Sequence, residues 1–114
     1  MAAVRWRPTL TPRANEDLFE IVAWTEEHFG SAQADVYREV ILAALHEFKG
    51  GLQLTGVRQR DDVRPGLFSL HVARRGRHGR HLVLFRIAPG GEPVIEVLRI
   101  LHDQMDLVRH LPAP

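Results

Sequence analysis

The chain has 114 residues, 45% of them hydrophobic and 25% charged, with a formal net charge of +1, which suits one hydrophobic core and is too short for two, so a single domain over residues 1–114 is expected. The longest unbroken apolar run, residues 40–45, is far below a membrane span, and the start MAAVRWRP lacks the apolar stretch of a secretory signal, so the expectation is a soluble, cytoplasmic protein with no membrane partner. The absence of cysteine removes disulfides, thiolate catalysis and cysteine-based zinc sites.

After the extended start VRWRPTL, Thr11-Pro12 opens a helix: a hydroxyl to cap free N–H groups, then a proline whose missing N–H does no harm. Ala14, Leu18, Ile21, Val22, Thr25 and Phe29 keep helical spacing on one face while acidic residues fill much of the rest, which predicts a helix over residues 12–29. Gly30 ends it and Ser31 caps a second, over 31–49, with Ala34, Tyr37, Ile41, Ala44, Leu45 and Phe48 on one face and Val36, Val40 and Ala43 on another. Residues 50–66 follow neither period, and so long a stretch is either partly ordered or functional. Three strand-like runs come next, GLFSLHVAR, RHLVLFRIA and VIEVLRILH, joined by RGRHG and PGGEP, as in an antiparallel meander. Asp103 can cap a short terminal helix carrying Met105, Leu107, Val108 and Leu111, with Asp106 near its positive end. That tail is apolar enough to fold back on the sheet or to meet a partner.

Matching like with like across the hairpins sets a register. Pairing Arg75 with Arg80 puts Val72 opposite Val83, Leu70 opposite Phe85 and Phe68 opposite Ile87. Pairing Ala88 with Val94 puts Ile87 opposite Ile95 and Phe85 opposite Val97. One face then packs on the helices, except that Arg99 falls on it. The other face collects Ser69, His71, Arg80, Leu82, Leu84, Arg86, Glu96, Leu98, Ile100 and His102, and is where chemistry or a partner is expected.

On that mixed face Arg86 and Glu96 should be cross-strand neighbours, with His71 and His102 flanking them. A metal-free ribonuclease needs a base for the 2′-hydroxyl, cations for the phosphate and an acid for the leaving oxygen, and these four residues are the candidates. The same Arg–Glu pair is equally an ordinary sheet stabiliser. Metal is not expected at His78 and His81, because the surrounding arginines repel a cation, and no cofactor is expected. Eight arginines lie from Arg58 to Arg86 against only Asp61 and Asp62, a field suited to an anionic partner. Within it RRGRHGRH, residues 74–81, reads as a hairpin tip. Its glycines serve the turn, and Arg74, Arg75, Arg77 and Arg80 are expected to project freely as docking residues. Trp6 and Trp24 are candidate stacking platforms, with Trp24 better read as a core flank or partner contact. Tyr37 is expected in the core.

The stretches LTPRANEDLFEIVAWTEEHFGSAQADVYREVILAAL, DDVRPGLFSLHV, RHLVLFRI and VIEVLRILHDQMDLVRHL together resemble the RelE/ParE superfamily of toxins from bacterial type II toxin–antitoxin pairs, over almost the whole chain. The closing RILH followed by MDL is typical of its ParE-like branch. The resemblance implies an α+β fold: an N-terminal strand, an antiparallel helical hairpin packed on a small antiparallel meander, and a short C-terminal helix. ParE-like members are associated with inhibition of DNA gyrase, RelE-like members with ribosome-dependent cleavage of mRNA. The nuclease branch favours lysines and a terminal tyrosine or histidine, whereas here Lys49 is the only lysine and no tyrosine follows Tyr37. The ParE-like reading is therefore preferred: inhibition by binding, with Arg86, Glu96, His102 and His71 as the catalytic candidates of the alternative. The resemblance also implies a cognate antitoxin with a segment that folds on binding, expected to land around Val36, Val40 and Ala43 and on the mixed sheet face.

Overall fold

The computed structural model describes residues 4–105 and 107–110. In chain order it contains β1 (Arg7–Leu10), α1 (Pro12–Phe29), α2 (Ser31–Glu47), β2 (Arg58–Gln59), β3 (Phe68–His71), β4 (His81–Ile87), β5 (Val94–His102) and α3 (Leu107–His110), with one turn of 3-10 helix at Phe48–Gly50 closing α2. The strands form one sheet in the order β1-β5-β4-β3-β2. The expected α+β architecture is present, and the sheet as a whole is mixed. The meander is antiparallel, but β1 runs parallel to β5, from Arg7 opposite Val94 to Leu10 opposite Val97.

The helix boundaries follow the local chemistry. Thr11 Oγ1 accepts the Ala14 N–H at 3.1 Å and donates to the Leu98 carbonyl at 3.0 Å, so one hydroxyl caps α1 and ties it to β5. At the far end Gly30 takes φ 93°, a conformation costly for any residue with a Cβ, and gives its N–H to Glu26 O. The hairpin lies on one face of the sheet. Ala14, Ile41, Ala44, Leu45 and Phe48 pack there against Leu70, Val72, Val83, Phe85, Ile95, Val97 and Ile100. Residues 50–66 are ordered: Leu52, Leu54 and Val57 flank this core, while Val63 reaches the opposite face of the sheet.

Two features of the register differ from the sequence reading. Phe68 pairs with Phe85 and Leu70 with Val83, two residues away from the expected alignment. The ladder closes early, with the Val72 N–H donating to His81 O at 3.0 Å, and all of residues 73–80 become loop. A slip of two preserves which side chains share a face, so the helix-facing set of β3 and β4 was legible even though its partners were not.

The second feature is a β-bulge. The β4–β5 register is as expected from Ile87–Ile95 to Phe85–Val97, but Leu84 then faces Arg99, leaving Leu98 as the extra residue. Beyond an inserted residue the alternation reverses. Ile100 therefore joins the helix-side core, His102 lies opposite His81, and Arg99 leaves the apolar face to which regular alternation assigned it. Its guanidinium donates to both carboxylate oxygens of Asp17 on α1, at 2.7 and 3.0 Å, and to the His110 carbonyl on α3. Asp17 Oδ2 also accepts the Ile100 N–H at 3.0 Å, on the stretch of β5 beyond its last pairing with β1.

The face expected to be open is largely closed. Leu67, Leu84, Leu98, Leu101 and Leu107 form a second buried cluster, flanked by Val63 and Leu82, so the apolar tail does fold back through α3. Asp106, the side chain of Val108, and Leu111 lie outside the described residues. Asp103 gives its carboxylate to His71 and Arg80.

Asp17 and Arg99 are both buried, at 4% and 8% exposure, and removing one member of such a pair strands the other charge. Asp17→Asn is expected to lower unfolding stability by about 3–5 kcal/mol, read from urea denaturation. A loss below about 1 kcal/mol would show that the pair does not hold β5 to α1.

Candidate functional site

The loop of residues 73–80 carries four arginines and no acid, and the structure gives them unequal roles. Arg74 does not project freely. Its Nε and Nη2 meet the two carboxylate oxygens of Glu47, at 2.6 and 3.2 Å, and its Nη1 donates to the Thr55 carbonyl. Arg75 Nε also donates to Glu47, but most of the Arg75 side chain stays in solvent. Hydrogen bonds from Arg74, against a smaller opposing effect of burial, hold the Glu47 carboxyl down at about 2. Arg77 is exposed at the tip, where its N–H closes a turn onto the Arg74 carbonyl at 3.0 Å. Arg80 reaches Asp103 at 3.3 Å and remains largely exposed.

Below the loop, at the end of the sheet, Tyr37 leaves the purely apolar role expected of it. Its hydroxyl accepts the Arg80 N–H at 3.0 Å and lies 2.6 Å from His81 Nδ1. The Tyr37 hydroxyl and His81 Nδ1 share one hydrogen bond whose donor depends on the His81 tautomer. Two backbone N–H groups fix the other two rings. His71 Nδ1 accepts the Ala73 N–H while its Nε2 meets Asp103 at 2.9 Å, and His102 Nδ1 accepts the Gln104 N–H at 3.2 Å. Burial, reinforced by the neighbouring His102, lowers His81 to about 4. Burial likewise raises the Tyr37 hydroxyl above its usual value, and the His71 hydrogen bond lowers the Asp103 carboxyl.

Of the residues expected to form a catalytic set, only one pair meets. Arg86 Nε donates to Glu96 Oε1 at 2.9 Å across β4 and β5, as expected. His102 is at the other end of β5, and six residues at about 3.3 Å each put it roughly 20 Å from Glu96. The bulge also turns it to the helix side, where its ring lies 5.4 Å from that of His81. His71 is held by Asp103 and is likewise separate from the Arg86–Glu96 pair. On the helices Val36 is exposed, whereas Val40 is part of the core and offers no landing surface. Trp24 stacks on His28 at 4.0 Å and stays exposed, and Trp6 packs beside Gly51 on the core. Among the described residues no cluster of histidine and carboxylate side chains is arranged to hold a metal.

Residues 9–107 match the sequence model of the family described as ParE toxin of type II toxin-antitoxin system, parDE. The chain belongs to the ParE toxin family. Toxin ParE1 of Mycobacterium tuberculosis, from strains CDC 1551 / Oshkosh and ATCC 25618 / H37Rv, is 31% identical over 105 residues in each case, covering 92% of this chain and 97% of the relative. A solved chain from the chromosomal ParDE TA system of P. aeruginosa superposes with a TM-score of 0.61 at 18% identity, covering 86% of this chain and 96% of that one. The ParE fold here therefore carries a polar cluster and an arginine loop at one end of its sheet. Glu47, Tyr37 and Asp103 belong to that end, and only a tyrosine among apolar helix positions and an acid ending a helix hinted at the first two.

The lowered His81 value makes a signed prediction for this ParE-family toxin. Between pH 6.5 and about 4 the unfolded chain binds a proton at this position that the folded chain refuses, so the contribution is complete above pH 6.5 and lost as the pH falls toward 4. His81→Gln is expected to flatten the rise of melting temperature across that window, measured by thermal unfolding in steps of half a pH unit. An unchanged slope would show that His81 titrates normally.

Proposed function

We propose that this toxin acts by binding DNA gyrase and blocking its cycle, and that a cognate antitoxin neutralises it. The observation that carries this reading is the separation of Arg86–Glu96 from His102, whose Nδ1 is held as an acceptor by the Gln104 N–H. Cleavage of a phosphodiester needs a proton donor for the leaving oxygen beside the base and the cations. A neutral His81 hydrogen-bonded to Tyr37 is a poor donor at neutral pH, and among the described residues no histidine stands beside the Arg–Glu pair. Membership of the ParE family supports the same choice over ribosome-dependent cleavage.

The antitoxin part rests on what the helices expose. Phe19, Trp24, Phe29 and Val36 are 75%, 54%, 65% and 56% exposed, with the Trp24 and Phe29 rings 5.9 Å apart, which offers a partner segment apolar side chains to cover. A segment that folds on binding would bury apolar side chains there and pair its acids with the free arginines of the loop.

Purified toxin is expected to inhibit supercoiling of relaxed plasmid by gyrase, and the triple variant Arg86→Gln, Glu96→Gln, His102→Gln is expected to inhibit within threefold of it. Inhibition should disappear when the antitoxin is added first. Cutting of translated messages that the triple variant loses, with supercoiling untouched, would overturn the proposal and restore the nuclease.

A further inference from the structure

The arginine loop and the turn at residues 55–56 enclose a cleft of about 360 Å³ lined by Thr55, Gly56, His71, Ala73, Arg74 and Arg75. Its walls are built for close approach. Gly56 has φ 98°, and a Cβ there would stand 3.0 Å from Arg74 Nη1. The positive φ favours glycine there, and a side chain would also press on the guanidinium that donates to the Thr55 carbonyl. On the other side Gly79 lies against Tyr37, where a Cβ would meet the hydroxyl at 3.0 Å and Val72 at 2.7 Å, so the returning limb of the loop is seated on the fold. Arg75, at φ 52°, is the one non-glycine residue with positive φ among those described. That conformation belongs to the turn in which the Arg77 N–H donates to the Arg74 carbonyl at 3.0 Å, with Gly76 following at φ 79°, and Glu47 takes the Arg75 Nε beside it.

The charge at this cleft does not balance. One carboxylate, Glu47, serves two guanidiniums. Arg74 spends three nitrogens on Glu47 and Thr55 and is structural, whereas Arg75 spends only Nε, leaving its two terminal nitrogens in solvent. Arg77 is exposed and makes no side-chain ion pair among the described residues, and Arg58, two residues past Gly56, is also exposed. The excess is fixed, because guanidinium does not titrate in the working range.

We propose that this cleft and loop tip grip the phosphodiester backbone of duplex DNA, with Arg75 and Arg77 as the phosphate-binding residues and Glu47 and Arg74 as the clamp that positions them. Guanidinium donors without a neighbouring acceptor suit phosphate oxygens. Single-strand binding ordinarily adds aromatic platforms for the bases, yet residues 73–80 contain no phenylalanine, tyrosine or tryptophan, and the exposed aromatic residues Phe19, Trp24 and Phe29 lie on α1. The toxin would then touch DNA as well as protein in its target complex. This goes beyond gyrase inhibition and is measured without gyrase, so failure of either claim leaves the other standing.

The test is fluorescence anisotropy of the purified full-length chain with a labelled 20-base-pair duplex at 50 and 200 mM salt. Two phosphate contacts predict roughly tenfold weaker binding at the higher salt. The double variant Arg75→Ser, Arg77→Ser should lose at least fivefold in affinity at 50 mM salt and most of the salt dependence, while Arg38→Ser, an equal loss of charge per residue on α2, should change little. Arg77→Ser alone, at an exposed tip, should give a smaller loss in the same direction with melting temperature unchanged. The proposal is overturned by no binding at 50 mM salt, by equal losses in Arg38→Ser and Arg77→Ser, by single-stranded DNA or RNA of the same sequence binding more than tenfold tighter, or by polyglutamate competing as well as duplex at equal charge.

Discussion

Much of this molecule depends on one inserted residue in its longest strand. Leu98 has no partner on β4, and the alternation of β5 reverses beyond it. Before the bulge Val97 faces the helices. After it Ile100 does, while Leu98 and Leu101 join the leucine cluster under α3. The same shift delivers the Arg99 guanidinium to Asp17 and to the last described turn of α3, and leaves the Ile100 N–H to be taken up by the same carboxylate. A buried pair of this kind contributes little net stability over apolar packing. Its value here is geometrical, since it holds α1, β5 and α3 in one arrangement.

The consequences reach the functional end of the sheet. His102 sits on the helix side because of the bulge, beside His81, whose ring is hydrogen-bonded to the Tyr37 hydroxyl. The polar groups there hydrogen-bond one another and backbone N–H groups, and the basic loop is seated on them through Gly79 and the Arg80 N–H. This end carries more arginine than acid, with Glu47 shared between Arg74 and Arg75, which suits the proposed reading of a toxin that works by occupying a surface.

How much of this could be read from the sequence follows from the range of each interaction. Thr11-Pro12 and Gly30 act within one helical turn, so the helix limits were legible. Side-chain alternation is local as well, and the helix-facing residues of β3 and β4 came out right. Partner identity was not local: with no strong two-residue turn signal, the length of the loop at 73–80 is set by where Gly79 meets Tyr37, 42 positions earlier in the sequence. The bulge left a trace, an arginine on an apolar face, but a single misplaced charge does not say where the extra residue lies. The parallel pairing of β1 and the two-residue β2 were invisible for the same reason. Arg74 looked like a free docking residue because its partner, Glu47, ends a helix 27 positions away. Val40 looked available because a second apolar stripe on a helix does not reveal which stripe is covered.

The account rests on a toxin that binds and does not cut, and the most direct test is made in cells. The chain is expressed briefly without antitoxin, and gyrase-linked chromosome breaks and the 5′ ends of cut messenger RNA are mapped in the same culture. The account predicts breaks at gyrase sites with messages intact. Cut messages on an intact chromosome would contradict it and return Arg86, Glu96 and His102 to the status of catalytic candidates.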